Sequence, residues 1–144
     1  MVAIDSKRAR RLNSALVGAA ALLLGSGALA HHSFAMFDHE NQIRLHGKVA
    51  SFLWQNPHVY IDLEAENPKG EMKTYTIECA NPGILNRIGW KFNMIKAGDV
   101  LTVVVAPLRT GEPGALLKQV KLPDGRIFAN GGPAGAANIP IDPP

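Results

Sequence analysis

The sequence predicts an all-β domain with a small α content, and three observations point there. Apolar residues alternate with polar ones over several short runs, the period-2 signature of strands buried on one face. Gly, Pro, Asn and Asp clusters punctuate these runs at regular intervals, as turns require. A single helical signal falls between the third and fourth of five runs. That order is the one found in the OB-fold, a five-stranded Greek-key barrel. The alternative with similar strand content is a small β-sandwich.

The elements are taken in chain order. Ile43, Leu45, Val49 and Leu53 alternate with Arg44, His46 and Lys48 as a half-buried first strand. Gly47 inside it predicts a bulge or sharp bend, and Phe52 and Trp54, out of phase with the apolar face, predict a bulge as well. "QNP" at 55–57 is a turn. In the second strand Val59, Ile61, Leu63 and Ala65 face inward, and His58, Tyr60, Asp62, Glu64 and Glu66 face outward. "NPKG" at 67–70 turns into a third strand with Tyr75, Ile77 and Cys79 inside and Thr74, Thr76 and Glu78 outside. The alternation makes Cys79 a small core residue.

"NPGILNRIGW" then reads as a short helix. Asn81 suits the N-cap, Pro82 the first helical position and Gly89 a left-handed C-terminal stop. Ile84, Leu85 and Ile88 are its apolar stripe. "KAGD" at 96–99 turns into a fourth strand carrying Leu101, Val103 and Val105, stopped by Pro107. Leu116, Val120 and Leu122 mark the fifth. Pro123, Asp124 and Gly125 turn into a last short strand, "RIFA". From residue 130 the chain is rich in Gly, Ala and Pro, and residues 130–144 are expected to be a disordered tail. The single barrel domain is residues 31–129.

The first thirty residues are a different kind of segment. Lys7, Arg8, Arg10 and Arg11 precede an apolar run from Ala15 to Leu24, and Ala28-Leu29-Ala30 comes after it. A basic start, a short apolar stretch and an A-x-A site are the parts of a signal peptide, expected over residues 1–30. The apolar run falls short of the roughly 20 residues that span a bilayer, so the mature chain is read as having no membrane span. Arg10-Arg11 resembles a twin-arginine signal, but Leu12-Asn13-Ser14 lack its hydrophobic pair, which favours the general secretory route. The expected location is periplasmic or secreted.

Export changes the charge balance. Residues 1–30 hold four of the 15 basic residues and one of the 12 acidic ones, which leaves 11 of each. A near-neutral mature chain has no electrostatic case for nucleic acid. One cysteine allows no internal disulfide.

Cleavage after Ala30 makes His31 the first residue, so a free α-amine and an imidazole share one residue, with His32 beside them. These nitrogens can chelate a metal, and the nitrogen-rich geometry they offer favours Cu(II). His58, beside a turn and near Trp54, is the favoured third ligand; His46 lies too far along the neighbouring strand to share an ion with it. Copper is the expected cofactor on His31, His32 and His58. The competing role for this segment is structural: Phe34, Met36 and Phe37 are apolar enough to plug an open barrel end. A second functional class is a binding module. Trp54, Asn56, Tyr60 and Trp90 would then line a face for a small molecule, a glycan or a partner protein, since barrels of this type bind on one face. No nucleophile triad is legible. Ser33 lies beside histidines, but adjacency in sequence is not geometry. The expected class is a binding or accessory protein, not an enzyme.

"HHSFAMFD", "GKVASFLWQNPH", "NRIGW", "KAGDVLTVVVAPL" and "LPDGRIF" occur in this order over nearly all of residues 31–129. On these motifs the chain resembles a family of small exported bacterial proteins classed as a domain of unknown function. The residues that match are His31, His32, Phe34, Phe37, Asp38, Trp54, Asn56, Pro57, His58, Gly89, Trp90, Gly98 and Asp99. His39, His46 and Cys79 fall outside the pattern. The resemblance implies export and brings no established activity.

Overall fold

The computed structural model describes residues 34–131 and 136–143. The expected signal peptide, its cleavage site, His31 and His32 lie outside the described residues. The barrel belongs to the compact unit Met36–Pro144.

Strand order defines the fold. The elements are β1 (Ile43–Leu53), β2 (Tyr60–Glu66), β3 (Met72–Glu78), α1 (Pro82–Arg87), β4 (Val100–Pro107), β5 (Gly114–Lys121) and β6 (Ile127–Ala129). The sheet runs β3-β2-β1-β4-β5-β6, and β3 also pairs with β5. That last pairing is parallel, over Thr76–Glu78 and Gly114–Leu116, and it closes five strands into a barrel with β6 appended to β5. This is the OB topology, and the sandwich alternative falls away.

Long β1 serves two neighbours. Its first half pairs with β4, from Ile43 opposite Val105 to Lys48 opposite Val100. Its second half pairs with β2, from Gly47 opposite Ala65 to Leu53 opposite Tyr60. The predicted bulge is present, with Ala50 as the extra residue between Val49 and Ser51. No register shift occurs at Gly47, where the backbones instead approach closely. The bulge reverses the phase of the rest of the strand. Phe52 and Trp54 pack against the core, and Leu53, expected inside, is 46% exposed.

A second bulge corrects β5. Val104 pairs with Gln119 but Val105 with Leu117, so Lys118 is the extra residue. Ala115 and Leu117 before it and Val120 and Leu122 after it belong to the main core. Leu116 therefore faces away from the barrel interior, although it too is buried. Lys118 is 2% exposed, its Nζ stands 2.9 Å from His39 Nδ1, and burial lowers its pKa.

The helix is capped as expected: Asn81 Oδ1 accepts from the Ile84 amide at 2.9 Å, and Pro82 opens the first turn. Its stripe is narrower than predicted. Six residues end at Arg87, so Ile88 leaves the helical phase and is exposed, and Leu85 alone is fully buried.

Residues 136–143 also differ from expectation. Arg44 donates to the Pro140 and Asp142 carbonyls, Lys121 pairs with Asp142, and Asn138 donates to the His39 and Glu40 carbonyls. Arg44 and Lys121 stand on the strands either side of β4, so this segment crosses the outer face of β4, where Val104 and Ala106 are buried. Ile141 is buried as well. The tail's low apolar content hid these backbone-mediated anchors. Asn130 is no tail residue either: buried, it accepts from the Ala80 amide at 2.7 Å.

Cys79 lies in the core, as expected. Burial, aided by the negative charge of Glu78, pushes its thiol far above the ordinary 9.0. The folded state thus keeps a proton that the unfolded chain gives up above that value. The thiol's contribution is full below pH 9 and is lost as pH rises through it, by about 1.4 kcal/mol at pH 10. Urea unfolding at pH 7.5 and pH 10 should show this loss, and Cys79→Ala should remove the larger part of it, leaving the smaller share from Tyr60 and Tyr75, whose pKa values burial also raises. An equal loss in the variant would show that the thiol is not its source.

Candidate functional site

The β1–β2 turn and the strand ends beside it gather most of the predicted site residues. Trp54 is half-buried, its ring edge-on to Phe52 with centroids 5.9 Å apart. Asn56 and Pro57 are exposed at the tip and joined by a cis peptide. His58 leads back into β2. Its Nδ1 lies 2.6 Å from Glu78 Oε1, and the two side chains are 34% and 22% exposed. Tyr60 stands opposite Glu78 in the β2–β3 register, its ring centroid 6.5 Å from that of His58. Burial first, then the nearby charge of Glu78, raises the Tyr60 pKa.

One row further along, Asp62 is fixed from both sides. Ser51 Oγ donates to its Oδ2 at 2.6 Å and Thr76 Oγ1 to its Oδ1 at 2.9 Å. This bridge across β1, β2 and β3 uses both carboxylate oxygens and stiffens the face. Beyond it stand Glu64 and Glu66, both exposed. Among the described residues of β2 and β3, Asp62, Glu64, Glu66 and Glu78 are four carboxylates on the outward phase of the strands, and the one exposed cation, Lys73 near the start of β3, lies 3.5 Å from Glu71.

Trp90 does not join this face. It is 0% exposed, its Nε1 donates to the Ala129 carbonyl at 3.0 Å, and its ring meets Phe128 edge-on at 6.0 Å. The open aromatic groove expected from Trp54, Tyr60 and Trp90 is therefore not formed: Trp90 is buried, and Trp54 packs with Phe52 against the core, whereas Tyr60 stands opposite the exposed Leu53. The indole belongs to the main core, as does Leu85, the one buried residue of α1.

The described histidines are dispersed. His46 Nδ1 meets Thr102 Oγ1 at 3.0 Å on the β1–β4 pair. His39 meets Lys118, and His58 meets Glu78. Among the described residues, no three His, Cys, Asp or Glu side chains converge as a metal site. Glu78 is the residue that sequence reasoning passed over, as one of several surface carboxylates. The signal was available: an antiparallel turn at 67–70 sets residue 78 opposite residue 60, a diagonal step from residue 58.

No curated protein matches the chain. Solved structures of the mitochondrial single-stranded DNA binding protein Rim1 from S. cerevisiae are similar to it. One has a TM-score of 0.42 at 15% identity, covering 63% of this chain and 96% of that one. A selenomethionine-labelled form has a TM-score of 0.41 at 13% identity, covering 63% and 97%. The fold assignment rests on the strand order of this chain itself. A family model matches residues 20–117 of the chain, and the chain belongs to that family, the Family of unknown function (DUF6152).

Proposed function

We propose that the chain is an exported binding protein, not an enzyme, and that its ligand is a Cu(II) ion held by His31, His32 and His58. The observation that carries this reading is the His58–Glu78 pair. A metal-binding imidazole usually directs its second nitrogen to a carboxylate, which fixes the ring and its tautomer. With Nδ1 turned to Glu78, the Nε2 of a partly exposed ring is the nitrogen presented to an ion. The α-amine and imidazoles of a mature chain beginning at His31 supply the remaining nitrogen donors, a set that suits Cu(II). The four carboxylates on the outward β2–β3 face favour a cation over an anion, which supports the absence of a nucleic-acid partner.

Copper titration of the chain beginning at His31 tests this, with calorimetry and electron paramagnetic resonance as readouts. One Cu(II) bound through nitrogens is expected, with far weaker binding when one Gly precedes His31. His58→Ala should lose a nitrogen from the spectrum, and Glu78→Gln should weaken binding by about 10- to 100-fold. Equal binding by the authentic and extended forms would overturn the reading. A second reading has its own support in Trp54, a half-buried ring edge-on to Phe52 beside the exposed Asn56–Pro57 turn. There the turn takes a small ligand, a glycan or a partner protein, and that binding survives the added residue.

A further inference from the structure

A separate site lies at the mouth of the barrel, where the β2–β3 turn faces the β4–β5 loop. Between them is a cleft of about 350 Å³, walled by Ile43, Pro68, Pro107 and Leu108, with Tyr75 reaching it from β3. It shares no residue with the His58 site. Tyr75 points inward by the strand alternation, opposite Leu63, and is 6% exposed. Its ring belongs to the main core.

The hydroxyl is what needs a role. No hydrogen bond to the Tyr75 oxygen exists among the described residues, and no buried side-chain nitrogen or oxygen among them lacks a partner. The Tyr75 oxygen therefore retains some exposure, and Tyr75 is one of the residues that line the cleft. Phenylalanine would pack the ring as well. A phenol more than nine-tenths buried, whose one polar atom opens into an apolar cleft, supplies a single hydrogen bond of fixed direction. Barrel mouths are common ligand sites, and 350 Å³ falls within the range such pockets occupy. The rim adds Lys69 and Glu112, whose opposite charges favour no net charge on an occupant.

We infer that this cleft binds a small, uncharged, mainly apolar molecule whose carbonyl or ether oxygen accepts a hydrogen bond from Tyr75. Affinity comes from the apolar walls, and selectivity comes from the phenol, because a matched ligand without an acceptor leaves the hydroxyl unsatisfied on binding.

Acetophenone and ethylbenzene are suitable probes, similar in size and differing in the carbonyl. Each is titrated to about 1 mM into the 15N-labelled protein and monitored by amide shifts; a tenfold difference there is 1.4 kcal/mol. Both should move the amides of Ile43, Tyr75 and Leu108, with acetophenone binding about five- to tenfold more tightly. Tyr75→Phe should bring acetophenone down to the ethylbenzene level and leave ethylbenzene unchanged. Leu108→Trp, which fills the cleft from its rim, should lose both probes and keeps the test decisive if Tyr75→Phe does not fold. Shifts located elsewhere, no shifts at all, or a preference that persists in Tyr75→Phe would overturn the inference.

Discussion

Trp90→Ala is expected to cost about 3–5 kcal/mol of folding stability, the range for deleting a large buried aromatic. Three observations set that size. The side chain is fully buried, so its removal leaves a cavity bounded by the barrel. Its ring contact with Phe128 and its hydrogen bond to the Ala129 carbonyl tie the segment after α1 to β6. A three-residue strand such as β6 has little else to hold it than its pairing with β5. Domains of this size unfold with roughly 5–15 kcal/mol, so the variant should sit near its folding threshold. Trp90→Phe separates the terms, since it keeps most of the packing and drops the donor; a loss of about 1–2 kcal/mol is expected. It also leaves Trp54 as the one remaining tryptophan, an internal reporter for urea unfolding. A loss below about 1 kcal/mol for Trp90→Ala would contradict the buried position.

Trp90 also shows where sequence reading stops. Its burial cannot be read from periodicity, because it lies outside any strand or helix and comes directly after a glycine at positive φ. The strands were legible because barrel walls obey a period of two. Ile61, Leu63 and Ala65 on β2, and Ile77 on β3, lie where alternation puts them. The errors cluster at bulges. One extra residue at Ala50 turned Leu53 outward, and one at Lys118 moved Leu116 off the interior face. A bulge is set by the register of the partner strand, which local pattern does not contain. In the first strand two out-of-phase aromatics betrayed it. In the fifth, the adjacent Leu116 and Leu117 before the lysine concealed it, since either phase offers a leucine to the core. The candidate site was half legible for the same reason. His58, Tyr60, Trp54 and Asn56 drew notice as residue types beside a turn, whereas Glu78 gains its meaning only from cross-strand register. The order of strands and helix was enough for the barrel, because few topologies place a helix between the third and fourth of five strands.

Gly47→Ala is expected to destabilise by at least the roughly 1–3 kcal/mol typical of overpacking, although it adds one methyl group at a partly exposed position. The reason is backbone proximity. A Cβ at residue 47 would overlap the Glu64 carbonyl oxygen and lie 2.9 Å from its carbon and 2.8 Å from Ala65 Cβ. Gly47 is one of the two residues, with Lys48, at which β1 is shared, and it pairs with Ala65 on one side and Leu101 on the other. Neither neighbour can retreat without opening a ladder, because the peptide of Glu64 is held in the β2–β3 register as well. Hydrogen exchange should therefore speed up at the β2 amides next to residue 47, alongside a lower urea midpoint. The double variant Gly47→Ala with Ala65→Gly distinguishes the two sources of crowding. It removes the side-chain contact and leaves the carbonyl overlap, so little stability should return. Full recovery would mean that the methyl of Ala65, and not the close approach of two backbones, is what reserves this position for glycine.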